Sequence, residues 1–191
     1  MGIFALEHSQ TAYRADFALY GGATLALAIF LASAAPHELR FELAALALTG
    51  LACWTVIEYA LHRFVLHGMA PFRAWHAEHH RRPTALICAP TVVSAGLIAV
   101  LVFAPALAVW GLWRASALTL GVLAGYLGYA ITHHATHHWR FDVAWLRRRR
   151  RWHALHHAAI VPPGHYGVTS ACWDHLLGSA GPVPNRDGET P

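Results

Sequence analysis

The stretch Trp152-His153-Ala154-Leu155-His156-His157 carries three imidazoles spaced His-x-x-His-His, and Trp75-His76-Ala77-Glu78-His79-His80 repeats that spacing in the other half of the chain. On a helix, residues at i, i+3 and i+4 lie on one face, so each copy is expected to bring its three rings to a common point. Such a point is a metal site: neutral imidazole suits iron, zinc, copper and nickel and buries no charge. Two more histidine sets accompany the repeat. Thr132-His133-His134-Ala135-Thr136-His137-His138 holds two i, i+4 pairs, His133/His137 and His134/His138. The pairs stand about 100° apart, so only one of them can face a given ion well. His62 and His67 are five apart, which on an ideal helix separates them by about 140°. Either they serve two different ions or the helix ends between them. Glu58, one turn before His62, has two readings: an acceptor that orients His62 through its far ring nitrogen, or an interfacial carboxylate paired with Arg63.

Four histidine segments meet only if a scaffold positions them. The chain has 191 residues, 56% of them hydrophobic and 13% charged, which is more apolar than a soluble domain of this size tolerates. The expected class is all-α, an integral multi-pass membrane protein with four transmembrane helices and a cytosolic histidine-rich cap. Phe17 to Ala35 and Phe41 to Leu61 are each about the ~20 residues that cross ~30 Å of hydrocarbon. They are separated by Pro36-His37-Glu38-Leu39-Arg40. The apolar region from Ala85 to Thr132, interrupted at Pro105 and Gly111-Leu112-Trp113-Arg114, is expected to supply two more spans at 91–110 and 115–132. Met1 to Asp16 carries Glu7, His8, Arg14 and Asp16 and does not read as a cleavable signal.

The basic residues set an expected orientation. All 14 cations are arginines. Arg63, Arg73, Arg81 and Arg82 follow the second span, and Arg140 and Arg147 through Arg151 follow the fourth; the outer turns hold only Arg40 and Arg114. The positive-inside rule puts both histidine-rich segments on the cytoplasmic side, where they can form one site. Arg147 to Arg151 reads as this topology signal or as a run that holds anionic headgroups, and Trp75, Trp139, Trp145 and Trp152 suit interfacial anchors, with substrate contact as a second role. Cys53, Cys88 and Cys172 are far apart and odd in number, which argues against a disulfide framework. Pro162-Pro163-Gly164 is expected to turn the chain so that His165 to Asp174 returns over the site. Residues 1–180 read as one membrane domain and 181–191 as a flexible tail.

Glu58-Tyr59-Ala60-Leu61-His62-Arg63, the two His-x-x-His-His boxes, Gly125-Tyr126 ahead of a His-x-x-x-His-His box, and Tyr166-Gly167-Val168-Thr169-Ser170 with Trp173-Asp174 together resemble the fatty acid hydroxylase/sterol desaturase superfamily. The likeness covers Glu58 to Gly178 and is strongest to the fatty acid 2-hydroxylase (sphingolipid alpha-hydroxylase) branch. It implies a membrane enzyme whose two iron ions use O2 to hydroxylate a fatty acid or lipid-linked acyl chain. The implied ligands are His62, His67, His76, His79, His80, His133, His137, His153, His156 and His157, with Glu58 and Asp174 as supporting residues. His138 matches the family box but lies off the His133/His137 face, and His134 stands where the branch has an aromatic residue. Ala130 replaces an aspartate typical of the branch.

Ten nitrogens shared by two ions give five each and leave a position open for oxygen, as a catalytic site requires. Zinc would fill such a site in a purified sample but has no accessible redox change, so iron is the expected working metal. Ligation needs neutral rings, so metal should be lost as pH falls through and below about 6. The cytochrome b5 domain fused to some members is not seen in the sequence. Electrons are therefore expected from a separate partner, a ferredoxin or a cytochrome with its reductase; no nucleic acid partner is expected. Two alternatives stand beside the membrane lipid substrate: oxidation of a sterol, hopanoid or carotenoid ring, and a non-enzymatic metal carrier or sensor. A transporter would hold its ligands at mid-membrane depth, whereas these histidines lie at or beyond the span ends.

Overall fold

The computed structural model describes residues 6–158 and 164–181. The elements, in order, are α1 (Gln10–Ala34), a 3-10 turn (His37–Leu39), α2 (Arg40–Ala60), a π-helical segment (Leu61–Leu66), α3 (Phe72–Arg81), α4 (Thr91–Ile98), a second π-helical segment (Ala99–Phe103), α5 (Ala104–His138), α6 (Ala144–His157) and α7 (Cys172–Leu176). The described residues are all-helical; their one β contact is an isolated bridge between Glu7 and Ile87. Ser9 caps α1, its hydroxyl accepting from the Ala12 N–H at 3.2 Å.

Among the described residues three helical runs are long and apolar enough to cross a membrane, Gln10–Ala34, His37–Leu66 and Thr91–His138, and they make this an integral membrane protein. The third run joins what the sequence divides into two spans. At 48 residues it would stretch about 70 Å as one rod, twice the hydrocarbon thickness. It is not one rod. Gly111 breaks it with φ 76 and ψ 177, a left-handed conformation that glycine adopts without steric cost. Ile98 and Val122, on either side of that break, share one apolar cluster with Tyr20 and Trp54, so the two limbs lie side by side.

Packing of α2 on α5 is the tightest contact in the fold. A Cβ on Gly50 would overlap the carbonyl oxygen of Leu118, one on Gly121 that of Ala47, and one on Gly125 the Trp54 side chain. Glycines let the two backbones approach, which is how helices associate where lipid competes equally for apolar side chains. Leu31, Ala35, Leu43 and Ala117 form a second cluster towards the other ends of these helices. The histidine-bearing ends of α2 and α5 are thereby held together, and α3 and α6 close over them.

Candidate metal centre

The described histidines form two clusters of five nitrogens each, all within 4.8 Å of one another in their set. The first contains His62 and His67 from the π-helical segment and its cap, His76 and His80 from α3, and His156 from α6. The second contains His133 and His137 from α5, His153 and His157 from α6, and His79 from α3. Each of the two His-x-x-His-His boxes thus serves both clusters. On a helix i and i+4 differ by about 40° whereas i+3 and i+4 differ by about 100°. The i, i+4 pair of α3 therefore goes to the first cluster and its i+3 ring to the second, and α6 does the reverse. This corrects the expectation that the three rings of a box meet at one point.

The separation of His62 from His67 also resolves. Between them the helix is π-wound, and the His67 N–H donates to the His62 carbonyl at 3.2 Å, an i+5 bond that brings the two rings onto one side. An α-helix would have sent them apart.

Ring-to-ring distances test whether an ion fits. His76 Nε2 lies 3.0 Å from both His62 Nε2 and His80 Nε2, and His156 Nε2 lies 3.1 Å from both His67 Nε2 and His80 Nε2. In the second cluster, Nε2 separations are 3.1 Å for His133 and His79, 2.8 Å for His153 and His137, and 3.1 Å for His157 and His153. Two nitrogens bound at about 2.1 Å and at right angles to one another stand about 3.0 Å apart, against about 3.4 Å for a tetrahedron. The spacing fits more than four nitrogens gathered around one ion. It does not fit a closed four-ligand structural zinc site.

Backbone carbonyls orient the first cluster. His62 Nδ1–H donates to the Tyr166 carbonyl at 2.6 Å and His156 Nδ1–H to the Gly164 carbonyl at 2.8 Å. In a neutral ring this leaves the Nε2 lone pair directed into the cluster, the ligand form. The two carbonyls flank His165, whose φ of 59 turns the chain between them. His165 is 2% exposed and its ring packs on Trp152.

Glu58 and Asp174 act one step further out than the sequence suggests. Glu58 accepts from the Val168 and Thr169 N–H groups at 2.7 and 2.9 Å and from the Thr169 hydroxyl. The acceptor for His62 is the Tyr166 carbonyl, and Arg63 donates to the Tyr59 hydroxyl, so neither sequence reading of Glu58 holds. Asp174, wholly buried, accepts from the Tyr166 and Gly167 N–H groups, both at 2.8 Å, from the Ser179 hydroxyl, and from Trp152 Nε1–H at 3.2 Å. Together the two carboxylates clamp residues 166–169, the segment that supplies the carbonyl to His62.

Burial, reinforced by neighbouring imidazoles, pushes His79 and His157 down to about 3 and His67 to about 4. The same causes hold His76, His153 and His156 well below the usual histidine range. These rings stay neutral at ordinary pH, the form in which imidazole can bind a metal.

A cavity of about 420 Å³ lies against this centre. His62, His76, His79 and His133 form its polar end, and Trp54, Ile98, Leu101 and Val122 carry it inward among the spans. Among the described residues no arginine or lysine lines it, whereas Asp16 and Glu58 do.

Residues 47–179 match the fatty acid hydroxylase family. The chain belongs to that family. Among its relatives, dihydroceramide fatty acyl 2-hydroxylase FAH2 of Arabidopsis thaliana is 31% identical over 140 residues, covering 68% of this chain and 58% of that protein. Ceramide very long chain fatty acid hydroxylase scs7 of Schizosaccharomyces pombe is 30% identical, with 73% and 43% covered. The chain thus spans about half the length of these relatives. A solved structure of full-length scs7p, with only its hydroxylase domain visible, shares the fold: TM-score 0.76 at 22% identity, over 91% of this chain and 67% of that one.

Every histidine that the family resemblance implies as a ligand falls in one of the two clusters. His134 and His138 do not. His134 Nδ1 lies 3.3 Å from the Tyr13 hydroxyl and its ring stacks on His138 at 4.5 Å, which fastens α1 to the end of α5. Ala130 lines the cavity. Sequence reasoning missed the Gly164 and Tyr166 carbonyls, because a backbone acceptor has no residue signature. The left-handed His165 offered only a faint signal, histidine being among the few residues enriched there. Pro162 and Pro163, and the tail after Gly181, lie outside the described residues.

Proposed function

We propose that this family member is a membrane-bound, O2-dependent oxidoreductase that hydroxylates position 2 of a fatty acid or lipid-linked acyl chain. One observation carries the reading: two five-histidine clusters border an apolar cavity that runs among membrane-spanning helices. The naming of the Arabidopsis and fission yeast relatives for acyl hydroxylation supports it.

His62, His67, His76, His80 and His156 would hold one iron, and His79, His133, His137, His153 and His157 the other. Bound iron supplies a redox couple that can activate dioxygen toward an unactivated C–H bond, which zinc in the same ligands would not. The protein does the rest by positioning. The Tyr166 and Gly164 carbonyls fix the rings of His62 and His156, and Glu58 and Asp174 fix the segment bearing those carbonyls. The apolar wall excludes water and lays the chain beside the histidines. Residues 1–180 form one unit with four crossings, the limbs on either side of Gly111 counting separately, and the arginine excess puts the centre on the cytoplasmic face. Electrons arrive from a separate ferredoxin or cytochrome.

Lipid profiling of cells with and without the protein tests the reading. A gain of 2-hydroxyacyl chains is expected; altered rings or unchanged lipids would overturn it. His156→Ala should abolish that product and lower iron content by about half, since one of two sites loses a ligand, while the protein still inserts in the membrane.

A further inference from the structure

The cavity wall is thin at three leucines. Leu61, Leu97 and Leu101 all line the cavity, yet they are 36%, 42% and 67% exposed. Each therefore lines the cavity while remaining open to the surroundings. Leu61 belongs to α2's continuation and the other two to α4 and its continuation. Helices α2 and α4 both pack on α5 but share no extended contact with each other. Between them runs a seam.

Both edges of that seam are π-wound. Leu61–Leu66 forms one edge and Ala99–Phe103 the other, and Leu61, Val65, Leu101 and Val102 from these segments all line the cavity. A π turn widens the helix and offsets its side chains, and such turns gather at functional sites. Here the first swings His67 to the metal centre, while the second bears no histidine. What it does is carry Leu101 and Val102 into the cavity wall.

We infer that the acyl chain enters sideways from the bilayer, through the seam between α2 and α4 gated by Leu61, Leu97 and Leu101. The inference rests on the acyl-hydroxylase reading and deepens it: the substrate stays anchored in the leaflet while its chain slides toward the histidines. The cavity's lining agrees, since it offers no cation to a phosphate-bearing soluble carrier.

The test uses the full chain in phosphatidylcholine nanodiscs with two diazirine-bearing acyl probes, a ceramide in the bilayer and an octanoyl phosphopantetheine thioester in solution. The wild type should be labelled in the cavity by the ceramide and not by the thioester. Leu97→Trp/Leu101→Trp should cut ceramide labelling at least about fivefold by filling the seam. Iron content should be unchanged, which certifies folding, and Leu97→Ala/Leu101→Ala should label at least as well as wild type. Undiminished labelling of the tryptophan variant overturns the portal alone. Preferential thioester labelling overturns it in favour of entry from water. No cavity labelling by either probe sinks the acyl reading along with the portal.

Discussion

Glu58 shows how a carboxylate can matter to a metal without approaching it. Its oxygens accept two backbone N–H groups and a hydroxyl from Val168 and Thr169, and two residues before Val168 stands the carbonyl that holds His62. Glu58→Gln keeps the shape but removes the charge and forces a donor amide against donors. A buried charge-assisted set of this kind is worth about 1–3 kcal/mol, so the melting temperature should drop by several degrees. Iron affinity should fall with it as His62 loses its fixed orientation, measured by chelator competition; undiminished affinity would detach Glu58 from the centre. The importance of Glu58 was legible in the sequence, from its place one turn before His62. Its partner was not, because Thr169 lies 111 residues away and nothing local links the two.

At the scale of elements, hydropathy located the spans but could not report how the helices wind. One residue inserted into a turn leaves an apolar run just as apolar, so the π segments escaped a reading based on ideal α-helical angles, and His62 and His67 were left with two options. The split of the two His-x-x-His-His boxes between clusters was missed for a related reason: a shared face about 100° wide can serve one ion or two, and only the opposing helices decide. The closeness of α2 and α5 was also hidden, since glycines in an apolar run signal contact only once a partner is known. Gly121→Leu tests that contact. Its side chain would have to occupy the space of the Ala47 carbonyl, a collision with backbone that no rotamer relieves. The helices should separate and draw the His133/His137 end away from the His62 end. We expect a severe loss of monodisperse protein in detergent, read by size-exclusion chromatography, whereas Gly128→Ala, where added bulk meets nothing, should behave as wild type.

Across the whole molecule, the centre ties folding to pH. Burial depresses His79 and His157 to about 3 and His67 to about 4, and in an unfolded chain these rings return to about 6.5. Between those values the unfolded state binds protons that the folded state refuses, so stability present above about pH 6.5 is lost progressively as pH falls toward 4. On the proposed reading, bound iron would steepen the loss, because protons and metal compete for the same lone pairs and a bound ion stabilises only the folded form. Melting temperatures of iron-loaded and iron-free protein, measured from about pH 7.5 to about pH 4.5, should both decline, with the loaded curve starting higher and converging on the free one as metal leaves. Parallel curves would mean that the ions are not held by these histidines. A flat iron-free curve would mean that the rings are not buried together in the folded chain, and the two-cluster arrangement on which the catalytic reading depends would fall with it.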